Sequence, residues 1–214
     1  WLEPEMVSED SDLYRAHPEW AIRIPGRQPM RGRYQLVLDM SREDVREYLY
    51  EAISSLLRSA DISYIKWDMN RNVCDWYSTL LPPDRQGEAP HRYVLGLYEL
   101  LERLNTDFPD VLFEGCCGGG GRFDAGMLYY CPQIWCSDDT DAYARTKIQY
   151  GTSFFYPVST IGSHVSAVPN HQTGRVTPLS ARAVTAMAGS FGYELDLNTL
   201  TEEEKEAVKD QISR

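Results

Sequence analysis

The feature that most constrains this chain is its alternation: short apolar runs of strand character and longer stretches with apolar residues every three or four positions follow one another from end to end. The plainest helical stretch is Ser41 to Ala60, where Val45, Tyr48, Leu49, Ala52, Ile53, Leu56, Leu57 and Ala60 share one face and Ser41 and Asp44 stand as an N-terminal cap. Tyr64 to Asp68 reads as a strand, and Pro90 opens a helix carrying Val94, Leu97, Leu101 and Leu104. Val111–Glu114 is a strand, Arg122–Tyr130 a short helix, Gln133–Cys136 a strand, and a helix begins near Thr140. Thr160–Val165 is again a strand, Pro178 starts an alanine-rich helix, Tyr193–Leu197 is a strand, and Thr201 with Glu204 forms a capping box for the last helix. With Trp1–Glu5 counted as a strand, the pattern predicts six βα units.

Strict alternation with short loops requires parallel strands joined by right-handed crossovers, so the sheet is either doubly wound or closed into a barrel. Polar residues gather at the C-terminal ends of several strands (Glu3, Glu5, Lys66, Asp68, Cys116, Asp138), where a barrel keeps its active site, and no GxGxxG marks a dinucleotide switch point at the first strand. An eight-stranded barrel takes about 250 residues. Six units in 214 residues therefore predict an α/β fold that is an incomplete (β/α)8 TIM barrel, strands three to eight with the first two absent, forming one partial catalytic domain over residues 1–214. The start at Trp1 fits a piece of a longer protein, and residues 7–40 and 72–89 read as long loops over the barrel mouth.

Charge narrows the partners. A net charge of -11, from 32 acidic against 21 basic residues with no basic run, disfavours nucleic acid and anionic membranes and leaves a neutral or cationic small molecule as ligand. No apolar stretch approaches the roughly 20 residues of a membrane span, and a cytoplasmic location is expected. The five cysteines are odd in number with Cys116 and Cys117 adjacent, which predicts reduced thiols. Without paired CxxC motifs or an HExxH, no metal site is expected.

On the strand Tyr64–Asp68 side chains alternate, so Tyr64, Lys66 and Asp68 share one face and Ile65 and Trp67 the other. Burying Lys66 and Asp68 is tolerable where they meet each other or a ligand in the barrel mouth; the plainer alternative is an ion pair that closes the core. Asp138 follows the strand Gln133–Cys136, and helix-capping suits Asp139 and Asp141 better than Asp138. In the proposed register Asp68 ends strand four and Asp138 strand six, and alternate strands share a layer, so the two carboxylates are expected to face each other. A separation of about 5–5.5 Å makes such a pair a nucleophile and an acid/base for double displacement. At that distance and an effective dielectric near 20, one ionised carboxylate raises the other's proton affinity by roughly 3 kcal/mol. Lys66 then favours the charged form of Asp68 and leaves the proton on Asp138. Gly118–Gly121 is a weak phosphate-loop signal, equally explained by close approach of the backbone to a neutral ligand beside Cys116. Arg33 is read either as a ligand contact or as an ordinary solvated arginine.

Five stretches together resemble the α-galactosidases of glycoside hydrolase family 36: Trp1–Met6, Gln35–Asp39, Lys66-Trp67-Asp68-Met69-Asn70-Arg71, Cys116–Asp124 and Trp135–Ala142. The resemblance runs through nearly the whole chain, and the hexapeptide from Lys66 to Arg71 is its most specific part. It implies a retaining hydrolase of terminal α-1,6-linked galactose in melibiose and raffinose, with Asp68 as nucleophile and Asp138 as acid/base. It also implies Arg33, Lys66, Cys116 and Gly118 as galactosyl-binding residues, no metal or organic cofactor, an oligosaccharide as the partner, and a homo-oligomeric parent protein. Cys117 departs from the serine more often expected there. Family members further carry a β-sandwich, the first two barrel strands and a C-terminal β domain, none of which is in this sequence. The alternatives are a galactosyl-transferring enzyme, an α-N-acetylgalactosaminidase of the same clan, or a fragment incompetent without the rest of its parent.

Overall fold

A computed structural model describes residues 1–213 and divides the chain into two compact units, Trp1–Gly118 with Asp124–Pro132, and Gly119–Phe123 with the chain from Gln133 onward. The protein is of the α/β class, with helices alternating with parallel strands.

The first unit opens differently from the expected strand Trp1–Glu5. Only Leu2 bridges to Trp67, its N–H donating to Lys66 O at 2.9 Å and its carbonyl accepting from Asp68 N at 2.9 Å. The strand proper is β1 (Met6–Ser8), antiparallel to β2 (Gln35–Val37), with the short helix α1 (Asp12–Ala16) between them. Pro4 explains the shift: it lacks the N–H that would continue the ladder to the Tyr64–Asp68 strand.

Helix α2 (Glu43–Ser59) buries Val45, Leu49, Ile53 and Leu57, a seam at three- and four-residue spacing that stabilises by on the order of 2 kcal/mol per side chain. Its cap differs from expectation. Arg42 occupies the N-cap without a side-chain bond, because the Ser41 hydroxyl donates to Asp39 instead and Asp44 accepts from Trp20 Nε1 at 3.1 Å. Asp39 is buried and also accepts from Ser78 Oγ at 2.6 Å, which ties the 72–89 loop to the end of the hairpin region.

Next come β3 (Tyr64–Asp68), a 3-10 turn (Pro83–Glu88), and α3 (Ala89–Asp107), which buries Tyr93, Leu97, Leu100, Leu101 and Leu104. β4 (Leu112–Cys116) pairs parallel with β3 in the register Tyr64↔Leu112 through Asp68↔Cys116. The helix expected from Arg122 is shorter, α4 (Ala125–Tyr130), because Asp124 caps it by accepting from Gly126 N and Met127 N.

In the second unit β5 (Gln133–Trp135), β6 (Ile161–Ser166) and β7 (Ser190–Glu194) are successive parallel neighbours. β7 starts three residues before the expected Tyr193, since Gly162–Ser166 offers a continuous ladder to Ser190–Glu194 whatever the polarity of those residues. Helices α5 (Ala142–Ser153) and α6 (Leu179–Ala186) alternate with these strands, and Val165, Ala183 and Ala186 form the core with Leu179, Tyr193 and Leu195 packed against it. The last helix, α7 (Glu202–Ile212), carries the expected capping box of Thr201 and Glu204. Among the described residues the six expected strand positions thus become five parallel strands and the Leu2 bridge. Among the described residues no helix is long and apolar enough to cross a membrane.

Candidate active site

The parallel register of β3 and β4 sets Lys66 beside Glu114 and Asp68 beside Cys116, so these side chains leave the sheet on one face while Trp67 and Phe113 leave on the other. Tyr64 lies in the same row as Lys66 and donates its hydroxyl to Glu114 at 2.6 Å. On the opposite face Trp67 is fully buried, its ring centroid 6.4 Å from that of Phe113, and its indole N–H donates to Glu5 at 2.7 Å. Tyr93 of α3 donates to the other Glu5 oxygen. Glu5, expected at a strand end in the mouth, is therefore a buried acceptor between β3 and α3, where two neutral donors satisfy it.

Asp68 is 1% exposed at the C-terminal end of β3. Its Oδ2 accepts from Trp1 Nε1 at 3.1 Å and from Asn70 Nδ2 at 2.6 Å, while Oδ1 is buried with no hydrogen-bond partner among the described residues. Asn70 reaches Asp68 because it stands two positions on; its amide also donates to Glu3 Oε1 at 2.7 Å. Glu3 in turn accepts from Arg33 Nη1 at 3.4 Å. The Lys66 ammonium lies over the Trp1 ring, 4.6 Å from its centroid. Asp68, Lys66, Asn70, Glu3, Trp1 and Arg33 are thus one polar network at one end of β3. The arrangement holds a carboxylate by one oxygen and leaves the other uncommitted, at a position where leaving a buried acceptor bare carries a cost.

Arg33 sits on the tip of a two-residue turn. Gly32 and Gln35 exchange backbone hydrogen bonds of 3.2 and 2.9 Å, and Arg33 and Tyr34 both take left-handed backbone, at φ 52 and φ 63. Both residues are exposed. Gly32 is fixed by a close approach, since a Cβ there would lie 2.8 Å from Arg71 Cγ. Arg71 is buried, which pushes its guanidinium pKa down.

Cys116 is buried at the end of β4, its carbonyl accepting from Met69 N at 3.0 Å, and Gly118 is exposed with φ 54 and open space where a Cβ would be. The glycines after it have another explanation. A Cβ on Gly119, at φ 81, would meet Ser137 Cα at 2.9 Å and Asp138 N at 3.0 Å, and one on Gly120 would meet Cys136 O at 2.7 Å. In the second unit this run exists to let two stretches of main chain touch.

Asp138 lies in the loop after β5 and its side chain is exposed. Its neighbours are not loose. Asp139 N donates to Ser137 Oγ at 3.1 Å, and Asp139 Oδ1 accepts from Asp141 N at 3.0 Å. Asp141 is the N-cap of α5 and accepts from Ala144 N at 2.9 Å, from Thr173 Oγ1 at 3.1 Å and from Arg175. Burial pushes the Asp141 carboxyl pKa up, but the Ala144 N–H, the Thr173 hydroxyl and Arg175 outweigh it and hold the group below its ordinary value. Asn170 Nδ2 donates to Thr140 Oγ1 at 3.0 Å, so the loop before α6 is fastened to the loop that carries Asp138. Among the described residues no three His, Cys, Asp or Glu side chains are grouped to hold a metal ion.

Glu3, expected among the polar residues at the strand ends, joins Asp68 in this network, and so do Asn70 and Trp1, to which the sequence assigns no individual role. Their signal was present: Asn70 lies in the hexapeptide from Lys66 to Arg71, and Trp1 and Glu3 in the opening Trp1–Met6 stretch.

The chain belongs to the Melibiase family, which it matches over residues 1–214. It is 59% identical over 213 residues to alpha-galactosidase AgaA of Geobacillus stearothermophilus, covering 100% of this chain and 29% of that protein. It is 61% identical over 212 residues to the bifunctional alpha-galactosidase/sucrose kinase AgaSK of Mediterraneibacter gnavus, covering 99% of this chain and 22% of that protein. The crystal structure of the GH36 alpha-galactosidase AgaA superposes with a TM-score of 0.97 at 59% identity, over 100% of this chain and 30% of that one. The chain spans less than a third of the length of these relatives.

Proposed function

We propose that the protein carrying this chain is a retaining α-galactosidase acting on terminal α-galactosyl groups of melibiose, raffinose and related oligosaccharides, and that the chain supplies strands three to eight of its (β/α)8 barrel. Asp68 attacks the anomeric carbon through Oδ1 while Asp138 gives its proton to the glycosidic oxygen. The bond to the leaving sugar breaks and a galactosyl ester of Asp68 forms. Asp138, now a carboxylate, takes a proton from water, whose oxygen attacks the same carbon, freeing Asp68 and releasing galactose with its α configuration. Lys66, Arg33, Cys116 and Gly118 hold the galactosyl unit.

The observation that carries this reading is the Asp68 carboxylate, fixed through Oδ2 by Trp1 and Asn70 with Oδ1 left uncommitted. Raffinose and stachyose complexes of AgaA lend support: each is of a variant with one aspartate replaced, and the two replaced aspartates stand seventy positions apart in that enzyme, the separation of Asp68 and Asp138 here.

The test uses the protein that carries this chain. Asp68→Asn is expected to lower kcat on p-nitrophenyl α-galactoside by at least roughly 10⁴-fold. Asp138→Ala is expected to spare kcat/KM on a 2,4-dinitrophenyl galactoside, whose leaving group needs no proton, while depressing it on melibiose. Equal loss on both substrates counts against Asp138 as the acid, and a β-anomer as first product in proton NMR counts against retention.

A further inference from the structure

We infer that Arg145 is a positioning residue that holds the loop segment carrying Asp138 through the carbonyls of the residues on either side, Ser137 and Asp139. The inference rests on the proposed role of Asp138 as acid/base and extends it to a residue that never touches the sugar.

Arg145 lies in the first turn of α5 and is 4% exposed. Its Nη2 donates to Ser137 O at 2.6 Å and its Nε to Asp139 O at 2.8 Å, the carbonyls of the residues before and after Asp138. Its Nη1 donates to Gly162 O on β6 at 3.1 Å and to Cys136 Sγ at 3.0 Å, and the guanidinium lies 4.1 Å from the centroid of the Trp135 ring. Among the described residues it forms no ion pair, and every acceptor it has is a main-chain carbonyl or a thiol. Burial pushes the guanidinium pKa down, and Cys136, Asp139, Glu194 and Asp138 push it back up.

A buried cation satisfied by carbonyls rather than by a carboxylate is a costly way to build a core, and it calls for a reason. The geometry supplies one. With Ser137 O bound by Arg145, the peptide before Asp138 is held; the peptide after it is held at Asp139 N, which donates to Ser137 Oγ at 3.1 Å, and Arg145 fixes the next one through Asp139 O. Gly119 closes the same backbone from another direction, leaving no room for a Cβ against Ser137 and Asp138 N. An acid that must later take a proton from the water attacking the same carbon gains from such a fixed mount, because displacement by about 1 Å lowers a rate by around 100-fold. A lysine substitutes only in part, since one ammonium lacks the planar fork that spans both carbonyls.

The experiment compares kcat/KM on melibiose and on 2,4-dinitrophenyl α-galactoside for wild type, Arg145→Gln and Arg145→Lys, with Asp138→Ala as reference, all in the protein that carries this chain. The ratio of the two constants cancels the fraction of folded enzyme, so a purely structural loss leaves it unchanged. Arg145→Gln is expected to lower the melibiose constant about 100-fold and the dinitrophenyl constant by less than about threefold. Arg145→Lys is expected to shift the ratio the same way by a smaller factor, and it carries the test if the glutamine variant does not fold. An unchanged ratio in the variants, with Asp138→Ala showing its leaving-group dependence, overturns the role of Arg145 alone. Absence of that dependence in Asp138→Ala itself removes the proposed role of Asp138 and this inference with it.

Discussion

Replacing Gly119 with alanine introduces one methyl group against a backbone that has no space for it. At φ 81 the left-handed conformation costs a non-glycine residue roughly 1–2 kcal/mol. The new Cβ would lie 2.9 Å from Ser137 Cα, 3.0 Å from Asp138 N and 3.3 Å from Ser137 C. Carbon atoms rest at about 3.5–4.0 Å, so the Ser137–Asp138 main chain has to retreat by roughly half an ångström. Overpacking of this kind costs about 1–3 kcal/mol, which brings the total to roughly 2–5 kcal/mol. Gly26→Ala isolates the conformational part, because Gly26 has φ 75 and open space beside it; that variant is expected to lose only about 1–2 kcal/mol. Urea unfolding of both variants reads the difference. The same retreat moves Asp138 and is expected to lower kcat/KM on melibiose roughly tenfold, while Gly26→Ala leaves it near wild type. A Gly119→Ala protein no less stable than Gly26→Ala and fully active would refute the packing argument.

Asp141→Asn keeps the shape of the α5 cap but removes the charge that meets Arg175, with an expected loss of about 2 kcal/mol in urea unfolding at pH 7. Because the folded Asp141 carboxyl titrates below its ordinary 3.8, its stabilisation is complete above that value and is lost as pH falls toward the lower folded value. The gap between wild type and Asp141→Asn should therefore narrow below about pH 4, and a gap independent of pH would exclude the charge as its source. Thr201→Ala removes half of the capping box on α7 and is expected to cost about 1 kcal/mol; hydrogen exchange should show the loss as faster exchange at Glu204 N, and unaltered protection there would contradict the cap.

Much of this is legible in the sequence. The alternating faces of Tyr64–Asp68 follow from a period of two, and the register with β4 places Asp68 at the strand end where the sequence put it. The capping box at Thr201 and the Asp141 cap were readable because a cap is a local device within four residues. Ser41 is not the cap for the opposite reason: its hydroxyl donates to Asp39, which also accepts from Ser78, far along the chain. The start of β7 is not legible because Ser190, Phe191 and Gly192 lack an alternating pattern, and only the neighbouring strand shows where pairing begins. Arg145 carried no signal at all. In sequence it is one basic residue in a helix, ordinarily a solvated one, and its carbonyl partners are main-chain atoms that every residue possesses.

The hairpin tip at Arg33 and Tyr34 has a consequence for how this protein can vary. A two-residue turn with both residues left-handed is the setting in which Asn-Gly folds with least strain, yet here a long cation and an aromatic ring occupy it. Drift toward a more comfortable turn would relax the backbone while removing the guanidinium that meets Glu3, and with it one link of the network around Asp68.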